Sequence, residues 1–161
     1  MHGCDRNTLT APLVVDRDKL IEVGKTVGPG EWRRVEQEDI DLFAQLSGDD
    51  QWIHVDRERA AAESPYGTTI AHGNLTLSLI DGFRLRLMRV EGVRMGINYG
   101  WNKVRFPAPV VAGARVRASA ELVSLDDLGE GWFQAVTRFE VSAEGQTKPV
   151  CVADSVGRIL T

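Results

Sequence analysis

The sequence holds three histidines, and the imidazole side chain titrates nearer to neutral pH than any other unperturbed group. His2 falls among terminal residues, which are commonly poorly ordered, so His54 in SGDDQWIHVD and His72 in TTIAHGN are the candidates for proton transfer. Asp49 stands five positions before His54. An extended stretch of that length reaches ~17 Å, so the segment must turn if both side chains are to meet one bound atom. Such a pair suits general acid–base work. It equally suits a turn aspartate followed by a histidine that is satisfied by backbone.

Other residues offer chemistry of their own. Asp81 could serve as a catalytic carboxylate, or be an ordinary helical carboxylate bonded to a neighbour. Lys103 and Arg105, with Arg115 and Arg117 not far along the chain, could meet phosphates, or form the solvated face of a strand. Cys4 and Cys151 lie far apart and in no metal-ligand spacing, so neither a disulfide framework nor a zinc site is expected. No phosphate-cradling glycine pattern is present, which leaves nucleotide and redox cofactors without support.

The elements that must position these residues follow from periodicity. A short turn or helix fits Asp18–Val23, and Gly-Pro-Gly makes 27–32 a loop. A helix is expected over Glu36–Leu46, with Ile40, Phe43 and Ala44 on one face, stopped by Ser47-Gly48. Asp49 and His54 then lie in a loop, and a second helical piece covers Asp56–Ala62. Between Gly73 and Arg89 the apolar residues run most of the way round, which predicts a helix buried on several sides. From Val93 the period changes to two. Strands are expected at Val93–Tyr99, Arg115–Val123, Trp132–Ser142 and Pro149–Leu160, with turns at 127–131 and 143–145. Helices followed by antiparallel strands make an α+β domain, its sheet wrapped over the buried helix.

At 161 residues the chain fits one domain over 1–161, residues 1–30 forming an N-terminal extension. A net charge of −4 gives no global field to attract nucleic acid. No secretory signal and no window of about 18 apolar residues is seen, so the expected compartment is the cytoplasm, with no membrane partner.

Three separated blocks carry a resemblance to a known family. Gly48, Asp49, Ile53 and His54 match the Gly-Asp-x-Asn-Pro-[Ile/Leu]-His motif of the MaoC-like acyl dehydratases, also called (R)-specific enoyl-CoA hydratases. Ala71-His72-Gly73 matches the family's second block, and INYGWNKVRFPAPVVAGARVRA (97–118) its strand pair and Phe-Pro-x-Pro-Val turn. The chain resembles the nodulation protein N-like branch in particular, over roughly residues 30 to 158. Gln51 and Trp52 replace the usual Asn and Pro, and Asn74 replaces a bulky apolar residue, departures that bear on acyl-chain preference.

The resemblance implies a hot-dog fold and reversible addition of water to a trans-2-enoyl thioester, giving a (3R)-hydroxyacyl thioester. It assigns Asp49 and His54 as the acid–base pair. Gly73, at the start of the central helix, would offer its free N–H to the thioester oxygen, and the missing side chain would let the thioester come close. His72, which also reads as a loop-orienting residue, joins Asn74, Trp52, Lys103 and Arg105 as candidate substrate contacts. Coenzyme A or acyl carrier protein would enter as part of the substrate, with no resident cofactor or metal. A hot-dog thioesterase working through Asp81 and a non-catalytic acyl-thioester binder are the alternatives. A homodimer joined through the strand at 93–100 is expected.

Overall fold

The computed structural model describes residues 13–15 and 23–161. Strands β1 (Leu13–Val15), β2 (Thr26–Val27) and β3 (Arg33–Arg34) precede helices α1 (Gln37–Ser47), α2 (Trp52–Val55), α3 (Arg57–Glu63) and α4 (Gly73–Leu87). Then follow β4 (Met88–Val90), β5 (Met95–Arg105), β6 (Arg115–Gly129), β7 (Trp132–Ala143) and β8 (Cys151–Leu160). The main sheet has the order β2-β6-β7-β8-β5, with β3 also pairing β6, and every pairing in it is antiparallel. A separate two-stranded parallel pair joins β1 to β4.

The core lies between one face of this sheet and α4. Along β6 the buried Val116, Ala118 and Ala120 alternate with less buried Arg115, Arg117 and Ser119, as the pleat requires. They pack with Phe139 and Val141 of β7, Cys151 and Ala153 of β8, and Leu75, Ile80 and Phe83 of α4. Burying each large side chain of this set contributes ~1.5–3 kcal/mol. Ile40 of α1 joins the same cluster, which ties the helical segment to the sheet. Burial pushes the Cys151 thiol up to about 11.

The α+β arrangement expected from the sequence is the one observed, with several corrections. The central helix ends at Leu87, and Met88–Val90 is a strand. It is buried along one stripe, Leu75, Thr76, Ile80 and Phe83, while Asp81, Gly82 and Leu85 are exposed. A single sheet face can cover only one side of a helix, whatever the count of apolar residues around it. The sheet also begins inside segment 1–30, because Thr26–Val27 pair with β6, so that segment is only partly an extension. Residues 18–22 of the expected first helix lie outside the described residues. β5 runs on to Arg105 through two register shifts, and two more, after Leu122 and after Asp127, let β6 reach Gly129. No described helix is long and apolar enough to cross a membrane.

Candidate active site

Gly48 creates the approach to the site. It ends α1 with φ 76°, and its N–H donates to the Ala44 carbonyl at 2.9 Å. Only glycine takes that left-handed turn without cost, and it swings the chain into Asp49. Asp49 is exposed, and three residues on the chain enters α2. The expected loop around His54 is therefore a single helical turn. Asp56 closes it and opens α3, its Oδ1 accepting from the Arg59 N–H at 2.9 Å.

His54 is buried within that turn. Its Nδ1 lies 2.7 Å from the Ile70 carbonyl oxygen. A carbonyl can only accept, so Nδ1 carries the hydrogen and Nε2 is left as the basic nitrogen. Burial holds the imidazole below its ordinary pKa. The bond to Ile70 and the charge of Asp49 oppose that effect, and His72 adds to it.

His72 is the N-cap residue of α4 and is also buried. Its Nε2–H donates to the backbone carbonyl of Asp49 at 2.8 Å. The His72 ring stacks on His54 at 3.7 Å between centroids and 24° between planes, with Phe43 tilted against it at 5.0 Å. Ring nitrogens of His54 and His72 and a carboxylate oxygen of Asp49 all lie within 4.8 Å of one another. Stacked rings set their nitrogens side by side rather than aiming them at one centre. The cluster therefore suits proton transfer better than holding a metal.

A cleft of ≈ 300 Å³ opens beside His54, lined also by Tyr66, Gly73, Thr76, Phe106 and Pro109. Gly73 is the first residue of α4, so its N–H has no intrahelical acceptor. The space that a Cβ would fill is occupied, since it would lie 2.8 Å from two ring carbons of Phe106. An aromatic ring rather than open space stands beside this glycine, and that ring shares the cleft with His54. The N–H itself points out of the N-terminal end of the helix.

The remaining candidates lie outside this cluster. Trp52 opens α2 with the Arg59 guanidinium 4.4 Å above its ring, and it does not line the cleft. Asn74 is exposed on the first turn of α4. Lys103 and Arg105 are exposed on β5, where Arg105 Nη1 donates to the Val104 carbonyl. Asp81 is exposed on α4, away from the cleft lining. The sequence reading missed Tyr66 and Phe106 in the cleft, although RFPAPV was already singled out as a block. It also missed Gln37 and Thr69, whose buried side chains bond to each other and, through Gln37, to the His54 carbonyl.

A family model described as MaoC like domain matches residues 19–144. Over 141 residues the chain is 52% identical to the 3-hydroxyacyl-thioester dehydratase Z of Mycobacterium tuberculosis, covering 88% of this chain and 93% of that protein. It is 41% identical to nodulation protein N of Rhizobium leguminosarum bv. viciae over 133 residues, 82% of this chain and 83% of the relative. Among solved structures, the (R)-hydratase from A. caviae involved in PHA biosynthesis superimposes with a TM-score of 0.64 at 25% identity, covering 85% of this chain and 96% of that one. With the hot-dog architecture and the ordered Asp49, His54 and His72 cluster, these matches place the chain in the MaoC-like domain family.

Proposed function

We propose that this protein hydrates trans-2-enoyl thioesters to (3R)-hydroxyacyl thioesters, or runs the reverse dehydration. The hydro-lyase class rests on its 52% identity with a 3-hydroxyacyl-thioester dehydratase. One observation carries the reaction: the His54 Nδ1–H is fixed on Ile70, which leaves Nε2 basic with a ring nitrogen of His54 within 4.8 Å of the Asp49 carboxylate. In hydration, His54 Nε2 accepts a proton from water while the water oxygen bonds to the β-carbon. The electron pair of the double bond moves onto the thioester as an enolate, and the proton held between His54 and Asp49 then passes to the α-carbon. The N–H groups at the start of α4 are the donors for the enolate oxygen, where one such donor contributes ~2.7–4 kcal/mol. The acyl group is carried on the phosphopantetheine of coenzyme A or of acyl carrier protein, which present the same thioester. The protein acts in the cytoplasm.

The exposed position of Asp81, outside the cleft, speaks against the thioesterase alternative, and the ordered acid–base pair speaks against a mere binder. The acting unit in this proposal is a homodimer. β5 pairs only β8 among the described strands, and Met95, Ile97 and Tyr99 are exposed along it.

The test follows the enoyl-thioester absorbance with crotonyl-CoA, longer 2-enoyl-CoAs and the matching carrier-protein thioesters, and resolves the product on a chiral phase. Asp49→Asn and His54→Ala should each lose at least ~10²-fold in turnover. Their combined loss should fall far short of the product if both serve one water. Near-wild-type turnover in either variant, or an S product, overturns the reading.

A further inference from the structure

The residue that does the chemistry sits on a poorly self-supporting element. α2 is one turn of four residues, and its N-cap, Gln51, makes no side-chain capping bond. A single turn fixes many dihedral angles for very few hydrogen bonds, so it must be held from outside. Among the bonds that hold it, those made by buried side chains of other elements converge on one amide. Gln37, buried on the first turn of α1, donates from Nε2 to the His54 carbonyl at 2.7 Å and to Asp41 Oδ1 at 2.7 Å. Its Oε1 accepts from the hydroxyl of Thr69, itself 1% exposed. Thr69 immediately precedes Ile70, whose carbonyl takes the His54 Nδ1–H and whose N–H donates to the Ile53 carbonyl at 3.0 Å.

Building on the acid–base reading of His54, we infer that Gln37 is a positioning residue which sets the tautomer and placement of the catalytic imidazole. One end of its amide holds the backbone of His54. The other holds the residue beside the carbonyl that fixes the His54 ring. The amide thereby keeps donor and acceptor of the Nδ1–H···O bond in register, across three separate stretches of chain. Without it the ring gains freedom to take the Nε2–H form, which free histidine prefers and which has no basic nitrogen facing water. Thr69 is the second arm of the same device and adds a bond on the Ile70 side only.

The experiment uses the full chain with two variants, Gln37→Leu and Thr69→Val. Long-range ¹H–¹⁵N spectra of the substrate-free protein read the tautomer of His54, and steady-state kinetics on crotonyl-CoA read its consequence. Gln37→Leu should show His54 as a mixture of tautomers, with kcat reduced about 10- to 100-fold, as sub-ångström to ångström misplacement of a reacting group produces. KM should stay within about twofold, because the cleft walls are untouched. Thr69→Val should shift both readouts in the same direction by less, and it carries the test if Gln37→Leu does not fold. A folded variant in which His54 keeps a single Nδ1–H tautomer overturns the inference, whether or not kcat falls. So does an unchanged kcat. The spectra require no turnover, so a wild type that hydrates no enoyl thioester would refute the proposed reaction while still deciding the role of Gln37.

Discussion

Adding one methyl group at Gly73 separates two reasons for that glycine. The new Cβ would lie 2.8 Å from Cδ2 and Cε2 of Phe106 and 3.1 Å from its Cγ. The ring would have to retreat by roughly 1 Å to regain the ~3.5–4.0 Å optimum between carbons. Phe106 is 43% exposed, so it has somewhere to go. The stability cost should sit near the low end of the ~1–3 kcal/mol typical of overpacking. Alanine returns some of it as helix propensity, at most ~1 kcal/mol. Gly73→Ala should therefore move Tm by no more than about 4 °C. Turnover is another matter, because the displaced ring shares the cleft with His54. A loss of about 10²-fold is expected from a shift of that size beside the reacting atoms. Calorimetry and enoyl-CoA hydration measure the two effects on the same sample. In a Phe106→Ala background, Gly73→Ala should cost little further turnover, because the ring it displaces is gone. If the methyl group costs as much without the ring as with it, the glycine serves the thioester directly and the steric account fails. Wild-type turnover in Gly73→Ala alone would refute both.

Because burial lowers the His54 pKa, the acid limb of kcat/KM should have its midpoint below 6.5, with turnover still full at pH 7. The same group has a stability consequence: the unfolded imidazole takes its proton near 6.5 while the folded one resists. His54 thus contributes stability above pH 6.5 that is lost as pH falls from there through the folded value. Urea midpoints of the wild type and His54→Gln should converge over that window, and parallel curves would contradict the assignment. Asp81→Asn should leave hydration within about twofold, as expected of an exposed substitution; loss of both hydration and thioester cleavage would restore Asp81 as a candidate. Light scattering at micromolar concentration should report a dimer, and Tyr99→Lys on the open edge of β5 should shift it toward monomer.

What could be read from the sequence was local in character. Glycine after an apolar helix face marks the end of α1, and the chain does turn there. Strict alternation over Arg115–Val123 marks β6, because each second residue meets the core. Alternation fails where the strands bulge, which is why periodicity alone ends the first strand at Tyr99 and the second at Val123, short of Arg105 and Gly129. Met88–Val90 carries apolar residues that suit the end of a helix equally well, and only pairing with a distant segment makes it a strand. The site divides in the same way. Asp49, His54 and His72 stand out by residue type and motif. Gln37 does not, because its two partners outside its own helix lie 17 and 32 residues along the chain, and no spacing announces such bonds. Phe106 was visible as a motif residue, but its contact with Gly73 is a fact of three dimensions only.

The Cys151 thiol can serve as a clock for opening of the molecule. It is sealed in the core at the start of β8 with 0% exposure, and its pKa near 11 leaves almost no thiolate at neutral pH. An alkylating reagent can reach it only when the core between the sheet and α4 opens around the start of β8. In a Cys4→Ser background, the rate of labelling therefore counts openings of the core. Substrate thioesters that bind only the closed protein should slow that labelling in proportion to their occupancy. This gives an affinity scale for acyl chains that needs no catalysis at all.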